Sequence, residues 1–138
     1  MANNEKSKQL LESLRNKYQI EINTFKVFII IKRHLLNFQE MMERALISKV
    51  SESKVCFDPE TDENEISLIL DGKTASIKYE GSKIIANRLD QPDDTYVKIE
   101  VKGSDSIWVV RSSQQDKENI QSAQLFNIIM EELFYDIK

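Results

Sequence analysis

The hydrophobic pattern is clearest in residues 25–49, where it predicts an amphipathic helix. At about 100° per residue, the polar side chains fall on one stripe: Lys26, Arg33, Asn37, Glu40 and Arg44. The apolar side chains gather on a wide opposite arc that holds Val27, Phe28, Ile31, Leu35, Phe38, Met41, Met42, Ala45 and Leu46. An arc this wide indicates burial against more than one neighbouring element.

The segment before this helix shows two patterns in succession. Leu10, Leu11 and Leu14 have helical spacing, which predicts a helix over residues 4–17. In residues 18–24 apolar and polar positions alternate instead, which is typical of a strand. We interpret this stretch as a junction between two helices, with a short strand as the alternative.

Length limits how these helices can be arranged. One unbroken helix over residues 4–49 would be about 69 Å long, whereas a compact domain of this size has a radius of gyration of about 14 Å. Such a helix would project beyond the domain and would need a partner to cover its apolar side. The chain is therefore expected either to fold back near residues 18–24, so that the first helix covers the second, or to associate through its N-terminal part.

Residues 54–111 are predicted to form an antiparallel sheet, with a short strand ahead of Pro59 as its first element. Asp71-Gly72 is a strong hairpin signal, because both residues tolerate a positive φ. Residues 96–101 alternate, and the side chains expected to face inward are Val97, Ile99 and Val101. Since every connection is short, an up-and-down β-meander of four to five strands is expected.

Residues 112–118 are predicted to be a polar loop that leads into a C-terminal helix, with Ser113 or Asp116 as the cap. The side chains that this helix should bury are Leu125, Phe126, Ile129, Met130, Leu133 and Phe134. The chain is thus predicted to be one α+β domain over residues 1–138, with a helical arm at 1–49, an antiparallel sheet at 54–111 and a C-terminal helix at 117–136 packed on the sheet.

Composition narrows the class of protein. The 138 residues are 41% hydrophobic and 30% charged, which is ordinary for a globular domain. Cys56 is the single cysteine, which favours a reducing compartment, and we expect a cytoplasmic location. The longest apolar run, Val27–Ile31, is far shorter than the roughly 20 residues that span a bilayer, so we expect no membrane partner.

Charge is distributed unevenly along the chain. Residues 1–54 carry ten Lys and Arg against six Asp and Glu, whereas residues 55–138 carry nine against seventeen. The first part is therefore basic and the second acidic, which suggests self-complementary association. No dense basic patch forms and the sequence pI is near 5.1, so we expect no nucleic-acid partner.

Candidate chemistry is sparse, and no catalytic, cofactor-binding or metal-binding residue is predicted. His34 and Cys56 could form a nucleophilic pair only if the fold brought them together, and a packing role is expected for each. The acidic run Asp58–Glu65 resembles half of a calcium loop, but Ile69 stands where the loop needs its final glutamate. Trp108 could form an aromatic platform with Tyr79 and Tyr96, although packing in the sheet is the simpler role.

The function that these patterns favour is a small, non-enzymatic protein-interaction or regulatory module. We expect it to form a homodimer, with residues 4–35 supplying much of the interface. A small-ligand-binding α+β domain, with a pocket between the sheet and a terminal helix, is the alternative. An enzyme with an unrecognised site is a third class.

Overall fold

The computed structural model describes residues 2–46, 55–103 and 106–137, with side chains for residues 4–46, 63–103 and 106–137. Its elements, in chain order, are α1 (Ala2–Leu46), β1 (Val55–Asp62), β2 (Glu65–Leu70), β3 (Lys73–Tyr79), β4 (Lys83–Arg88), β5 (Tyr96–Val101), β6 (Ile107–Arg111), β7 (Gln114–Ile120) and α2 (Ser122–Leu133). The predicted α+β order of N-terminal helix, antiparallel sheet and C-terminal helix is confirmed.

The strands form one antiparallel meander in which each strand pairs with its neighbours in sequence, from β1 to β7. The sheet is larger than the four to five strands predicted. β1 extends through Pro59 to Asp62, where an edge position and an irregular register tolerate proline. The seventh strand, β7, occupies part of the stretch that was predicted to be a loop.

The β2–β3 hairpin follows the predicted turn chemistry. Asp71 and Gly72 have φ angles of 52° and 75°, as a two-residue turn between twisted strands requires. Residues 96–101 form β5, and Val97, Ile99 and Val101 are all buried, as predicted.

One face of the sheet packs against both helices. The register places Ile77 of β3, Ala86 of β4 and Val97 of β5 side by side on this inner face. These side chains are fully buried, together with Phe28 of α1 and Leu125 of α2. The hydrophobic core therefore lies between the sheet and the two helices.

Residues 18–24 do not break the helix: α1 continues without interruption over 45 residues. The alternation that resembled a strand consists of two i, i+4 pairs on opposite sides of a helix. Tyr18 and Ile22 lie on one side, and Ile20 and Thr24 lie on the other, where the Thr24 hydroxyl donates to the Ile20 carbonyl at 2.6 Å. The junction, the short strand and the folded-back helical pair are therefore wrong.

The predicted faces of residues 25–46 are mostly confirmed. The polar stripe is exposed, and the buried side chains are Val27, Phe28, Ile31 and Leu35. Phe38 and Met42 are partly buried against this core. Met41 and Ala45, which were predicted to be buried, are exposed because the apolar arc is wider than the surface that covers it. Residues 47–49, the predicted end of the helix, lie outside the described residues.

The C-terminal helix begins later than predicted. Residues 114–120 form β7, and α2 starts after Gln121, whose N–H donates to Oε1 of Gln124 at 2.9 Å. Neither Ser113 nor Asp116 caps it. Ser113 instead donates from its N–H and its hydroxyl to the Glu132 carboxylate, at 3.0 and 2.6 Å.

A buried arginine joins the end of α2 to the sheet. Arg88 in β4 is 1% exposed, and its Nη1 donates to the Leu133 carbonyl at 3.0 Å and to Asp136 at 2.9 Å. Its Nε and Nη2 donate to the two oxygens of Asp90 at 2.9 and 3.0 Å. Burial opposes the charge, but the bonds with both aspartates outweigh it, so the pKa of Arg88 is raised.

The aspartates of this cluster are stabilised in their charged form. The hydrogen bond from Arg88 lowers the pKa of Asp90. Burial is the largest influence on Asp136 and would raise its pKa, but the hydrogen bond and charge of Arg88, a backbone hydrogen bond and the charge of Lys73 together lower the pKa of Asp136. The cluster thus fixes the turn between β4 and β5 against the end of α2.

Candidate protein-interaction surface

The N-terminal part of α1 stands away from the sheet. All side chains from Asn4 to Tyr18 are exposed, and we call residues 4–18 the projecting segment. The contacts that hold α1 against the sheet include those of Glu21, whose carbonyl accepts from the Tyr79 hydroxyl at 3.0 Å, and of Phe25, whose ring meets that of Tyr79 edge-on at 5.3 Å. The projecting segment is about 22 Å long.

Apolar side chains form a stripe along the projecting segment. Leu10, Leu11, Leu14 and Tyr18 lie within about 100° of one another around the helix axis, and their exposed fractions are 55%, 65%, 49% and 42%. The stripe continues toward the sheet through Ile22 and Phe25, which are 39% and 38% exposed. Large apolar side chains that are contiguous and exposed mark an interaction surface.

Basic residues border this apolar stripe on both sides. Lys6 and Lys17 lie along one border of the stripe, and Lys8 and Arg15 lie along the other. The two acidic residues of the segment, Glu5 and Glu12, lie on the side of the helix away from the stripe. A partner surface that complements the segment is therefore apolar in its middle and acidic at its rim.

Cavities lie elsewhere among the described residues. One, of ≈ 730 Å³, is a polar cleft between the β4–β5 turn, the end of β6 and the end of α2. A groove of ≈ 510 Å³ lies between α1 and the start of α2, and one of ≈ 290 Å³ lies beside His34 and Phe126. The first of these is the most polar and contains Arg111 and Glu132.

Glu132 is the charged residue that sequence patterns missed in this cleft. The residue is 9% exposed, and its carboxylate accepts from the hydroxyls of Ser112 and Ser113 at 2.7 and 2.6 Å. Glu132 follows Ile128 and Ile129 at i+4 and i+3, so a charge on the apolar side of α2 was the available signal. These bonds join the β6–β7 turn to α2.

The predicted single-residue candidates, His34 and Cys56, lie on different elements, α1 and β1. His34 is half-buried and packs edge-on against Phe126 at 5.9 Å, with an interplanar angle of 80°. Cys56 lies in β1, and its side chain is outside the described residues. A nucleophilic pair between them stays without structural support.

The acidic run and the aromatic candidates also separate in the fold. Asp58–Glu65 belongs to the hairpin of β1 and β2, where Ile69 is a strand residue, so the run has no calcium-loop geometry. Trp108 and Tyr96 face away from the helices, whereas Tyr79 packs against α1 on the inner face. An aromatic platform that combines all three is therefore wrong.

Within the described side chains, no group of three or more metal-ligating residues converges. No helix in the described ranges is long and apolar enough to cross a membrane. Comparison with known proteins gives no match to any protein-family model, curated protein or solved structure. The projecting segment is the feature that points most directly to a function.

Proposed function

We propose that this chain is a non-enzymatic, cytoplasmic protein-interaction module that self-associates as a homodimer through its projecting segment. One observation carries the proposal: the apolar stripe of residues 4–18 is exposed along its whole length and bordered by basic side chains. Contact between water and such an apolar stripe is unfavourable, so association with a partner that covers the stripe is favourable.

The charge of the chain favours a second copy as that partner. The projecting segment has four basic and two acidic residues, whereas the whole chain carries a net charge of −4. The rest of the chain therefore carries a net charge of −6 (−4 minus +2), which can supply the acidic surface that the segment would complement. Reciprocal contacts between two copies satisfy both surfaces in one closed assembly.

Sedimentation equilibrium with a matched pair of variants tests this proposal. Leu11→Glu with Leu14→Glu places two charges in the apolar stripe, whereas Gln9→Glu with Asn16→Glu adds the same charge on the side of the helix away from the stripe. We expect the wild type and the Gln9/Asn16 variant to reach twice 16.1 kDa, and the Leu11/Leu14 variant to stay at 16.1 kDa. A wild type that remains a monomer at every concentration would refute the proposal.

The cleft of ≈ 730 Å³ supports a second candidate, a small-ligand-binding domain. It lies between the sheet and α2, where Glu132 and Arg111 supply polar groups for recognition. Native mass spectrometry of the freshly purified protein tests it. A mass above that of the chain, lost on denaturation, would favour the ligand-binding role, whereas the bare chain mass would count against it.

A further inference from the structure

The end of the molecule that carries the β4–β5 turn has an exposed apolar surface within an acidic rim. Leu89, Tyr135 and Ile137 are 52%, 59% and 37% exposed. The Tyr135 hydroxyl lies 3.4 Å from Oε1 of Gln91, which brings the end of the chain beside the turn. Among the described residues outside α1, the large apolar side chains that are exposed are Leu89, Tyr135 and Ile137.

Carboxylates surround these apolar side chains. Residues 88–95 and 131–137 together contain six carboxylates. Three cations pair with some of them: Arg88 with Asp90 and Asp136, Lys73 with Asp136 at 3.9 Å, and Arg111 with Glu131 at 3.9 Å. Carboxylates remain in excess, and Asp93 and Asp94 are exposed in the turn. We call this surface, formed by residues 88–95 and 131–137, the acidic patch.

The polar cleft opens beside the acidic patch. Its lining includes Asp94, Glu131 and Glu132 from the patch, and Arg111 is the basic residue among the side chains that line it. Arg111 is held by Glu118, with its Nε 3.2 Å from Oε1 and its Nη2 donating to Oε2 at 3.3 Å. The cleft is therefore suited to a cationic side chain more than to an anion.

The projecting segment and the acidic patch are complementary in both apolar and charged character. The segment presents leucines bordered by Lys6, Lys8, Arg15 and Lys17, and the patch presents apolar side chains bordered by aspartates and glutamates. Two projecting segments packed against each other would instead bring basic borders together, and like charges in close contact are unfavourable. Charge thus favours the contact of a segment with a patch.

The projecting segment and the acidic patch lie at opposite ends of the sheet, so the segment of one chain cannot contact the patch of the same chain. Glu21, where α1 reaches the sheet, lies beside Gly81 in the β3–β4 turn, and the acidic patch is at the other end of β4. Two copies placed side by side and antiparallel bring each segment along the other copy's patch. In a dimer with two-fold symmetry, the segment of each copy then contacts the patch of the other copy.

We infer that the projecting segment of one copy docks on the acidic patch of a second copy, with its leucines against Leu89 and Tyr135 and a basic side chain at the cleft. This inference rests on the proposed self-association. The two remain distinguishable, because substitutions in the segment test self-association and substitutions in the patch test where the segment docks.

A charge-reversal pair tests the docking site directly. One variant carries Lys8→Glu with Arg15→Glu in the segment, and the other carries Asp93→Lys with Asp94→Lys in the patch. We expect each variant alone to dissociate at least about tenfold more readily than the wild type. Mixed together, they should form a heterodimer, because the acidic segment of one meets the basic patch of the other and the unmodified surfaces also match.

Glu63→Lys with Asp116→Lys provides the control, because both residues are exposed outside the patch and the change in net charge is the same. Association of this variant should match the wild type. A dimer lost in the Leu11/Leu14 variant but unchanged by Asp93→Lys with Asp94→Lys would overturn the docking site and leave the proposed function standing. A monomeric wild type would overturn both. Its binding to phosphatidylserine vesicles, lost in the Leu11/Leu14 variant, would assign the segment to a membrane surface instead.

Discussion

Arg88→Met should destabilise the protein less than the joint removal of its two carboxylate partners. The Arg88 side chain is 2% exposed, whereas those of Asp90 and Asp136 are 53% and 28% exposed. Without the arginine, water can solvate both carboxylates, and the main losses are a bond to the Leu133 carbonyl and some packing. We expect a cost of about 1–3 kcal/mol.

Asp90→Asn with Asp136→Asn leaves the buried guanidinium without a charged partner. A buried charge that loses its partners costs about 3–5 kcal/mol. Urea denaturation at pH 7 measures both costs, with Asp93→Asn as the control, since Asp93 is exposed in the same turn and should change stability by less than about 0.5 kcal/mol. If Arg88→Met proved the more destabilising change, the guanidinium would not depend on these carboxylates for its burial.

Three other outcomes follow from the fold. The pKa values of the aspartates paired with Arg88 are lowered. The stability that they contribute is therefore present above their ordinary pKa of about 3.9 and is lost as the pH falls below it. Urea titrations at decreasing pH should show a steeper loss of stability for the wild type than for Arg88→Met. Gly72→Ala should cost about 1 kcal/mol in thermal unfolding, since φ is +75° although the space is open. Leu133→Ala removes a fully buried side chain and should cost about 2–5 kcal/mol of stability. Phe38→Ala, at a half-buried position, should cost less than that, and Arg33→Ala, at an exposed position, under about 0.5 kcal/mol. Equal denaturation midpoints for the three variants would contradict this order.

The sheet was predictable where turn chemistry and alternation agree. Asp71-Gly72 and residues 96–101 carry both signals, and both predictions are confirmed. β7 carries neither, because at the end of a sheet it needs no apolar face, and charged side chains such as those of Asp116 and Lys117 discourage pairing with other chains. Its polar composition is therefore that of a loop.

For the long helix and the Arg88 cluster, local sequence patterns predicted some features and not others. The exposed leucines Leu10, Leu11 and Leu14 followed from helical spacing, but the continuity of α1 did not, since residues 18–24 satisfy both periods. Arg88 occupies an inward position of β4, and nothing near it in sequence indicates that Asp136 meets it. Contacts between residues so far apart depend on how α2 crosses the sheet, which local patterns do not contain.

The continuity of α1 changes what it costs to order the projecting segment. Starting a helix in water carries a nucleation factor of about 10⁻³, equivalent to roughly 4 kcal/mol, whereas lengthening one is nearly neutral per residue. Residues such as Phe28 and Ile31 are already fixed as helix by the core, and no glycine or proline interrupts residues 2–46. The segment therefore grows from a template and unwinds from its outer end inward. Binding of a partner to the segment therefore does not have to offset the cost of helix nucleation, because the helix only has to lengthen.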